Sequence, residues 1–265
     1  MQVYTWGMIA HGRLGLGRPK VKKDKSFLNA RVSRKKVHYQ TRPCRVHGLD
    51  SVGIIDISAG QEHALVVSSN GEVYAWGKNT HGQCGIVPTN PSVSVAEAYD
   101  RWESRILGLS TSTPSSVWDD VWAPRMVPPF GAKSVNAYNT ISSKEYQPIF
   151  ASSVTAGGYQ SAVIDSNGSL WTWGGGGNSA CLGHGNSTVR TGVKMTDPRK
   201  SQERLLLSGC MSPPKWSEPR VIEPLRGMNI AKVSLGETHS AAISIDGEVY
   251  VWGSGACSVR KVRID

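Results

Sequence analysis

Three stretches of the chain repeat one pattern, in which a glycine precedes a Trp-Gly pair by sixteen residues. The structural repeat positions are Gly60 with Trp76, Gly157 with Trp173, and Gly236 with Trp252. A fourth copy is cut short at the start of the chain, where VYTWG contains Trp6. Because self-similarity at a fixed spacing is typical of repeat architecture, this pattern constrains the fold more than any local signal.

Each repeat is predicted to contain an antiparallel hairpin. An apolar run leads to Asn-Gly or Asp-Gly, and a second β-prone run follows, as in residues 64–67, 70–71 and 73–76. Asn-Gly and Asp-Gly supply the positive φ angles of a two-residue hairpin turn. A lone hairpin is marginally stable in water, so neighbouring copies must cover its apolar face.

The repeated tryptophans are interpreted as packing residues between repeats rather than as binding residues. Glycine-rich returns follow them at residues 8–17, 78–85 and 175–185. Recurring glycines there indicate tight turns and close backbone approach. The Gly174–Gly177 run lacks the Gly-Lys-Ser/Thr end of a phosphate-binding loop, which makes nucleotide binding an unfavoured interpretation.

These motifs occur in a defined order, and a Pro-x-x-Val-x-x-Leu type of segment follows at residues 43–49 and 219–225. In this respect the chain resembles the regulator of chromosome condensation repeat family over roughly half of its length. The resemblance implies an all-β fold, a β-propeller. Propellers close with about four to eight blades, whereas only three to four are visible here. We therefore expect one incomplete propeller over residues 1–265 with long loop insertions, completed by or docked on a partner.

The excess positive charge of the chain is confined to one predicted insertion, residues 18–45. This stretch contains eleven cationic residues and a single acid, whereas the rest of the chain has equal numbers of cationic and acidic residues. The cationic residues of the stretch are Arg18, Lys20, Lys22, Lys23, Lys25, Arg31, Arg34, Lys35, Lys36, Arg42 and Arg45. Such a block is either a solvated loop or a binding site for phosphates, chiefly of RNA in a large particle. An acidic protein or a membrane surface is the remaining alternative.

Two further insertions are predicted at residues 86–152 and 186–218. The first contains Trp102, Trp118 and Trp122, which are candidate partner-binding residues because exposed tryptophans often anchor interfaces. Covering the open edge of the propeller is the equally favoured alternative. The spacing of Trp118 and Trp122 predicts that they share one helical turn. The third insertion is predicted to hold a short helix before its Pro-Pro pair.

No residue set with catalytic or metal-binding chemistry stands out. His63 and His239 occupy the position that Gln160 takes in the middle copy, so they are interpreted as structural hydrogen-bonding residues. His11 and His81 recur before a return glycine and receive the same interpretation. No Ser/His/Asp or Cys/His group remains without a repeat role. We expect a protein without enzymatic activity, metal or cofactor.

The five cysteines show no metal-binding spacing, which favours a reducing intracellular compartment, either the mitochondrion or the nucleus and cytoplasm. No apolar run is long enough to span a membrane. A repeat strand begins near residue 3, which argues against a leader segment, although a presequence removed earlier is compatible with it.

The sequence thus predicts a non-catalytic scaffold subunit of a large complex. Its blades would dock protein partners, and the basic insertion would contact RNA or another polyanion, for example in a mitochondrial ribosomal particle. The alternative, implied by the family resemblance, is a guanine-nucleotide exchange factor or regulator of a small GTPase.

Overall fold

The computed structural model describes residues 2–18, 39–86, 120–132, 148–175, 179–184, 218–253 and 256–262. Its strands are β1 Tyr4–Met8, β2 Tyr39–Arg45, β3 Ile54–Ala59, β4 His63–Ser68, β5 Val73–Gly77, β6 Val121–Met126, β7 Ala151–Ala156, β8 Gln160–Asp165, β9 Leu170–Gly174, β10 Arg220–Val221, β11 Ile230–Leu235, β12 His239–Ser244, β13 Val249–Gly253 and β14 Ala256–Val262. The short helix α1 spans Ser179–Leu182, and 3-10 turns lie at Ala10–Gly12 and Glu223–Leu225. Within these ranges, no helix has the length and apolar character that crossing a bilayer requires.

The strands form three antiparallel four-stranded sheets, each built from consecutive strands. We call β3–β6 blade 1, β7–β10 blade 2 and β11–β14 blade 3. The pair β1–β2 corresponds to the third and fourth strands of a blade, since β1 carries the Trp-Gly pair, and we call it the half-blade. This arrangement confirms the predicted all-β, incomplete propeller.

Successive blades meet through their first strands. The backbone N–H of Val154 donates to Asp56 Oδ2 at 3.0 Å, and that of Ala156 donates to Ser58 Oγ at 2.9 Å. Thr155 Oγ1 then donates to the carbonyl of Val233 at 3.4 Å. The strands β3, β7 and β11 therefore form the inner ends of the blades, and the fourth strands form the outer rim.

The predicted hairpins are present, but their turns are one residue longer than predicted. In blade 1, Gly71 N–H donates to Ser68 O at 2.9 Å and Ser68 N–H donates to Glu72 O at 2.9 Å. Gly71 has a φ of +69°, whereas Asn70 is not among the positive-φ residues. The loop is therefore a type I turn followed by a left-handed glycine, which is the common three-residue hairpin connection. Blades 2 and 3 repeat both hydrogen bonds.

Three of the four repeat tryptophans pack between repeats as predicted. Trp76, Trp173 and Trp252 are at most 1% exposed. Each indole Nε1–H donates to a carbonyl in the preceding return, namely that of Arg13 at 3.1 Å, Gln83 at 3.0 Å and Cys181 at 2.9 Å. Trp6 does not follow this pattern, since it is 62% exposed. Among the described residues, no return segment lies ahead of β1 to cover it.

The predicted insertion 86–152 is wrong as a single unit, because blade 1 takes its fourth strand β6 from the middle of it. Residues 124–130 form a third copy of the Pro-x-x-Val segment that the sequence reasoning missed. Val127 and Phe130 are fully buried in this copy. Trp122 accordingly lies on a strand and not on the predicted helical turn. The helix predicted in the third insertion lies outside the described residues.

Candidate functional site

The structure places only three of the eleven candidate polyanion-binding residues. Arg18 is exposed at the end of the first return, and Arg42 and Arg45 lie on β2. Arg45 forms an ion pair with Asp50. The basic insertion is therefore not a loop throughout 18–45, because its last seven residues pair with β1. The other eight candidates, Lys20 to Lys36, lie outside the described residues.

Trp122 lies on β6, where the first return covers its backbone and its side chain is partly exposed. Its carbonyl accepts a hydrogen bond from Gly17 N–H at 2.8 Å. A Cβ placed on Gly12 would lie 2.9 Å from the Trp122 Cα, so the first return covers this strand closely. The role of Trp122 in partner binding stays a prediction. Trp102 and Trp118 lie outside the described residues.

An uncovered apolar surface lies on the half-blade side of blade 1. Ile57 occupies the same register position as Val154 in blade 2 and Val233 in blade 3. The two valines are 5% and 6% exposed, whereas Ile57 is 51% exposed. Ile55 on the same strand is 56% exposed. We call this surface, formed by Ile55 and Ile57, the first open face.

Blade 3 has a second uncovered surface on its opposite side. Ile243 corresponds in register to Val67 and Ile164, which are 0% and 4% exposed. Ile243 itself is 38% exposed. We call this surface the last open face. The blades at both ends of the described arc therefore present to solvent apolar side chains that are buried between consecutive blades elsewhere.

A charged cluster joins the half-blade to blade 1. Glu62 lies between Arg13, whose Nη2 is 2.8 Å from the carboxylate, and Lys78, which also pairs with it. Burial alone would raise the pKa of the Glu62 carboxyl. The hydrogen bond from Lys78 and the positive charges of Lys78 and Arg13 outweigh this effect, so the pKa lies below its usual value. The cluster connects the first return, through Arg13, and the second return, through Lys78, to the β3–β4 turn. Its role is therefore structural.

His63 acts as a bridge between blades, as the sequence predicted. Its ring is 2% exposed, and Nε2 lies 2.8 Å from Ser161 Oγ in blade 2. Burial lowers the pKa of His63 to about 4, so the ring is neutral at physiological pH. Gln160 makes the equivalent contact to the carbonyl of Gly236 at 3.2 Å, whereas His239 at the end of the arc is exposed. Among the described residues, no group of His, Cys, Asp and Glu side chains is arranged to hold a metal ion.

The buried His63 predicts a loss of stability in mild acid. Because its folded-state pKa lies below the unfolded value, its contribution is fully present above about pH 6.5 and is lost as the pH falls towards 4. Between pH 7 and pH 5 this loss amounts to about 2 kcal/mol. We expect His63→Gln, which copies the residue of blade 2, to reduce the difference between urea midpoints at pH 7 and pH 5. His239→Gln is the control and should keep the wild-type difference. Equal pH dependence in His63→Gln and wild type would contradict this prediction.

The blades, the returns and the inter-blade tryptophans together define a β-propeller repeat protein. The sequence model of the regulator of chromosome condensation (RCC1) repeat matches residues 2–67, 70–99 and 167–243, and a second model of the same repeat matches residues 54–83 and 230–258. The chain belongs to this family.

Among similar proteins, the chain is 24% identical over 252 residues to the probable E3 ubiquitin-protein ligase HERC6 of Homo sapiens, covering 95% of this chain and 16% of that protein. It is 25% identical over 281 residues to the ultraviolet-B receptor UVR8 of Arabidopsis thaliana, covering 96% of this chain and 49% of the receptor. The crystal structure of human WBSCR16 matches 99% of this chain and 48% of its own chain, at a TM-score of 0.54 and 17% identity, which supports the fold alone. The chain thus spans about half or less of the length of these relatives.

Proposed function

We propose that the chain is a non-catalytic scaffold that docks protein partners within a multi-component assembly. The observation that carries this proposal is the pair of open faces, together with the exposed Trp6 of the half-blade. Trp6, Ile57 and Ile243 stand at positions that are buried between blades in the other repeats, yet they are 62%, 51% and 38% exposed. Apolar surface of this kind favours association with further β structure, and among the described residues no strand pairs with the second edge of β1.

The basic insertion supplies the second part of the proposal, contact with RNA or another polyanion, for example in a ribosomal particle. Eleven Lys or Arg residues in a stretch with one acid support it. The last seven residues of the insertion form β2, which pairs with β1, so the insertion is attached to the half-blade at this end. Neutralising phosphates with Lys and Arg releases counterions, which makes such binding sensitive to salt.

The scaffold proposal is tested by a charge placed on the first open face. We expect Ile57→Lys to lose the protein partners that co-purify with the wild-type chain at moderate salt, because a buried lysine without a partner is strongly unfavourable. Ile245→Lys is the matched control, since Ile245 and its counterparts Ser69 and Ser166 are all exposed. Retention of the same partners by Ile57→Lys would contradict docking at this face.

Two further measurements separate the proposed function from its alternatives. Deleting residues 20–36, which leaves β2 intact, should abolish salt-dependent co-sedimentation with ribonucleoprotein particles. Faster nucleotide release from a small GTPase would instead favour the exchange-factor class. We also propose a reducing compartment, because Cys44 and Cys84 are free thiols.

A further inference from the structure

The outer rim of the arc has a charge pattern that differs from that of the other strands. The four rim strands β2, β6, β10 and β14 contain no Asp or Glu and six cationic residues, which are Arg42, Arg45, Arg125, Arg220, Arg260 and Lys261. The ten other strands contain one lysine and two aspartates. The positive charge of the folded arc is therefore concentrated at its circumference.

Three of the rim arginines occupy one register position. Arg125 pairs with Ala75, Arg220 with Thr172 and Arg260 with Val251, and each partner stands two residues before the glycine of its Trp-Gly pair. In the half-blade this position is Cys44, which lies between Arg42 and Arg45. The positive charge thus recurs once per blade along the rim.

These three arginines are available for an external anion. Arg125 and Arg260 are exposed and Arg220 is partly exposed. None of the acidic side chains in the described ranges forms an ion pair with them, in contrast to Arg45 with Asp50 and Lys261 with Glu248. His184 lies close to Arg220, but burial, followed by the charge of Arg220, lowers the pKa of His184 to about 4, so it adds no positive charge of its own at neutral pH.

We infer that the rim is a track for the phosphate backbone of a single-stranded nucleic acid. A row of cationic side chains along the rim suits a ligand that carries a charge at every nucleotide, and guanidinium groups bind phosphate oxygens in a bidentate manner. The rim of a propeller is convex. A duplex, which is stiff over about 150 base pairs, must be bent at a cost in free energy to follow such a curve, whereas a single strand bends freely.

One aromatic residue at the half-blade end extends the proposed binding surface. Tyr39, the first residue of β2, is 59% exposed and offers an aromatic ring on which a base can stack. The inference deepens the polyanion contact in the proposed function, but it rests on residues outside the basic block as well.

The inference is tested with the full chain and a fluorescein-labelled oligouridylate of about twenty nucleotides, followed by fluorescence anisotropy at several salt concentrations. We expect Arg125→Gln/Arg220→Gln/Arg260→Gln to weaken binding at least tenfold at about 0.1 M salt. The slope of log K against log salt should become shallower by about 2, since each phosphate contact on a single strand contributes about 0.7. The corresponding triple Arg→Lys variant keeps the charges and should retain most of the slope.

The control variant is Lys232→Gln, which removes a cationic residue from the inner strand β11 and should bind like the wild type. All variants are compared by circular dichroism, so that a loss of fold is recognised. Unchanged affinity and slope in the triple glutamine variant would overturn the inference. Equal affinity for a duplex of the same length would overturn the assignment to single strands, and displacement by polyglutamate at equal charge concentration would overturn the assignment to nucleic acid.

The deletion of residues 20–36 separates this inference from the proposed function. If the deletion abolishes binding of the oligouridylate and the rim variant does not affect it, the rim inference fails and the role of the insertion stands. If the rim variant weakens binding and the deletion does not, the rim inference stands and the insertion has another role.

Discussion

Replacing Trp173 by alanine should lower the free energy of unfolding by about 4 kcal/mol, the range measured for a large aromatic removed from a packed core. Trp173 is fully buried, its ring centroid lies 6.0 Å from that of Phe130, and its Nε1–H donates to Gln83 O at 3.0 Å. The substitution leaves a cavity between blades 1 and 2 and removes one of the two hydrogen bonds to that carbonyl. Ser161 Oγ still donates to it at 2.6 Å.

Trp6→Ala is the matched control, because Trp6 holds the same repeat position but is 62% exposed. Its substitution should change the stability by less than about 0.5 kcal/mol, as is usual at the surface. Urea unfolding followed by far-ultraviolet circular dichroism avoids the change in fluorescence that follows from removing an indole. An equal loss in both variants would show that the tryptophans do not stabilise the arc through inter-blade packing.

The repeat architecture could be predicted from the sequence because glycines and tryptophans mark inter-blade contacts directly. A Cβ on Gly157 would meet Leu235 Cβ at 2.7 Å, so the close approach of neighbouring blades excludes any side chain there. Each buried indole requires a return carbonyl at a fixed place. These steric and hydrogen-bonding requirements recur in every blade. The glycines and tryptophans that meet them therefore recur at a fixed spacing in the sequence.

Features that depend on what lies next to a repeat could not be predicted in the same way. Trp6 has the repeat pattern, but its burial depends on a neighbouring return. The turn type was wrong because Asn-Gly is compatible with two hairpin loops of different length. The strand β6 was missed because the hydrophobic position that is leucine at residues 49 and 225 is Phe130 in this copy.

The positive charge of the rim could not be predicted from the composition. Outside residues 18–45 the cationic and acidic residues are equal in number, which suggests no electrostatic asymmetry. Antiparallel pairing brings Arg125, Arg220 and Arg260 to one register position of the outermost strands. Their spacing along the chain is irregular, because the insertions before the rim strands differ in length. The shared register position of these arginines is therefore visible only from the pairing of the strands.

Gly85→Ala should destabilise the protein by about 4 kcal/mol, because a side chain is unfavourable there for two independent reasons. Gly85 has a φ of +65°, the left-handed region, in which an L residue costs about 1–2 kcal/mol. A Cβ would also lie 2.8 Å from Trp173 Nε1 and 2.8 Å from Val127 Cγ1, both fully buried. Overpacking of a tight core adds about 1–3 kcal/mol.

Gly17→Ala separates these two causes. Gly17 also has a positive φ, +86°, but no atom lies within 4 Å of the position that its Cβ would take. Its substitution should therefore show the backbone cost alone, about 1 kcal/mol. The difference between the two urea midpoints measures how tightly the return of blade 1 is packed on the indole of blade 2. If Gly85→Ala were no more destabilising than Gly17→Ala, the return would be loosely held and the blades would not be locked together through their tryptophans.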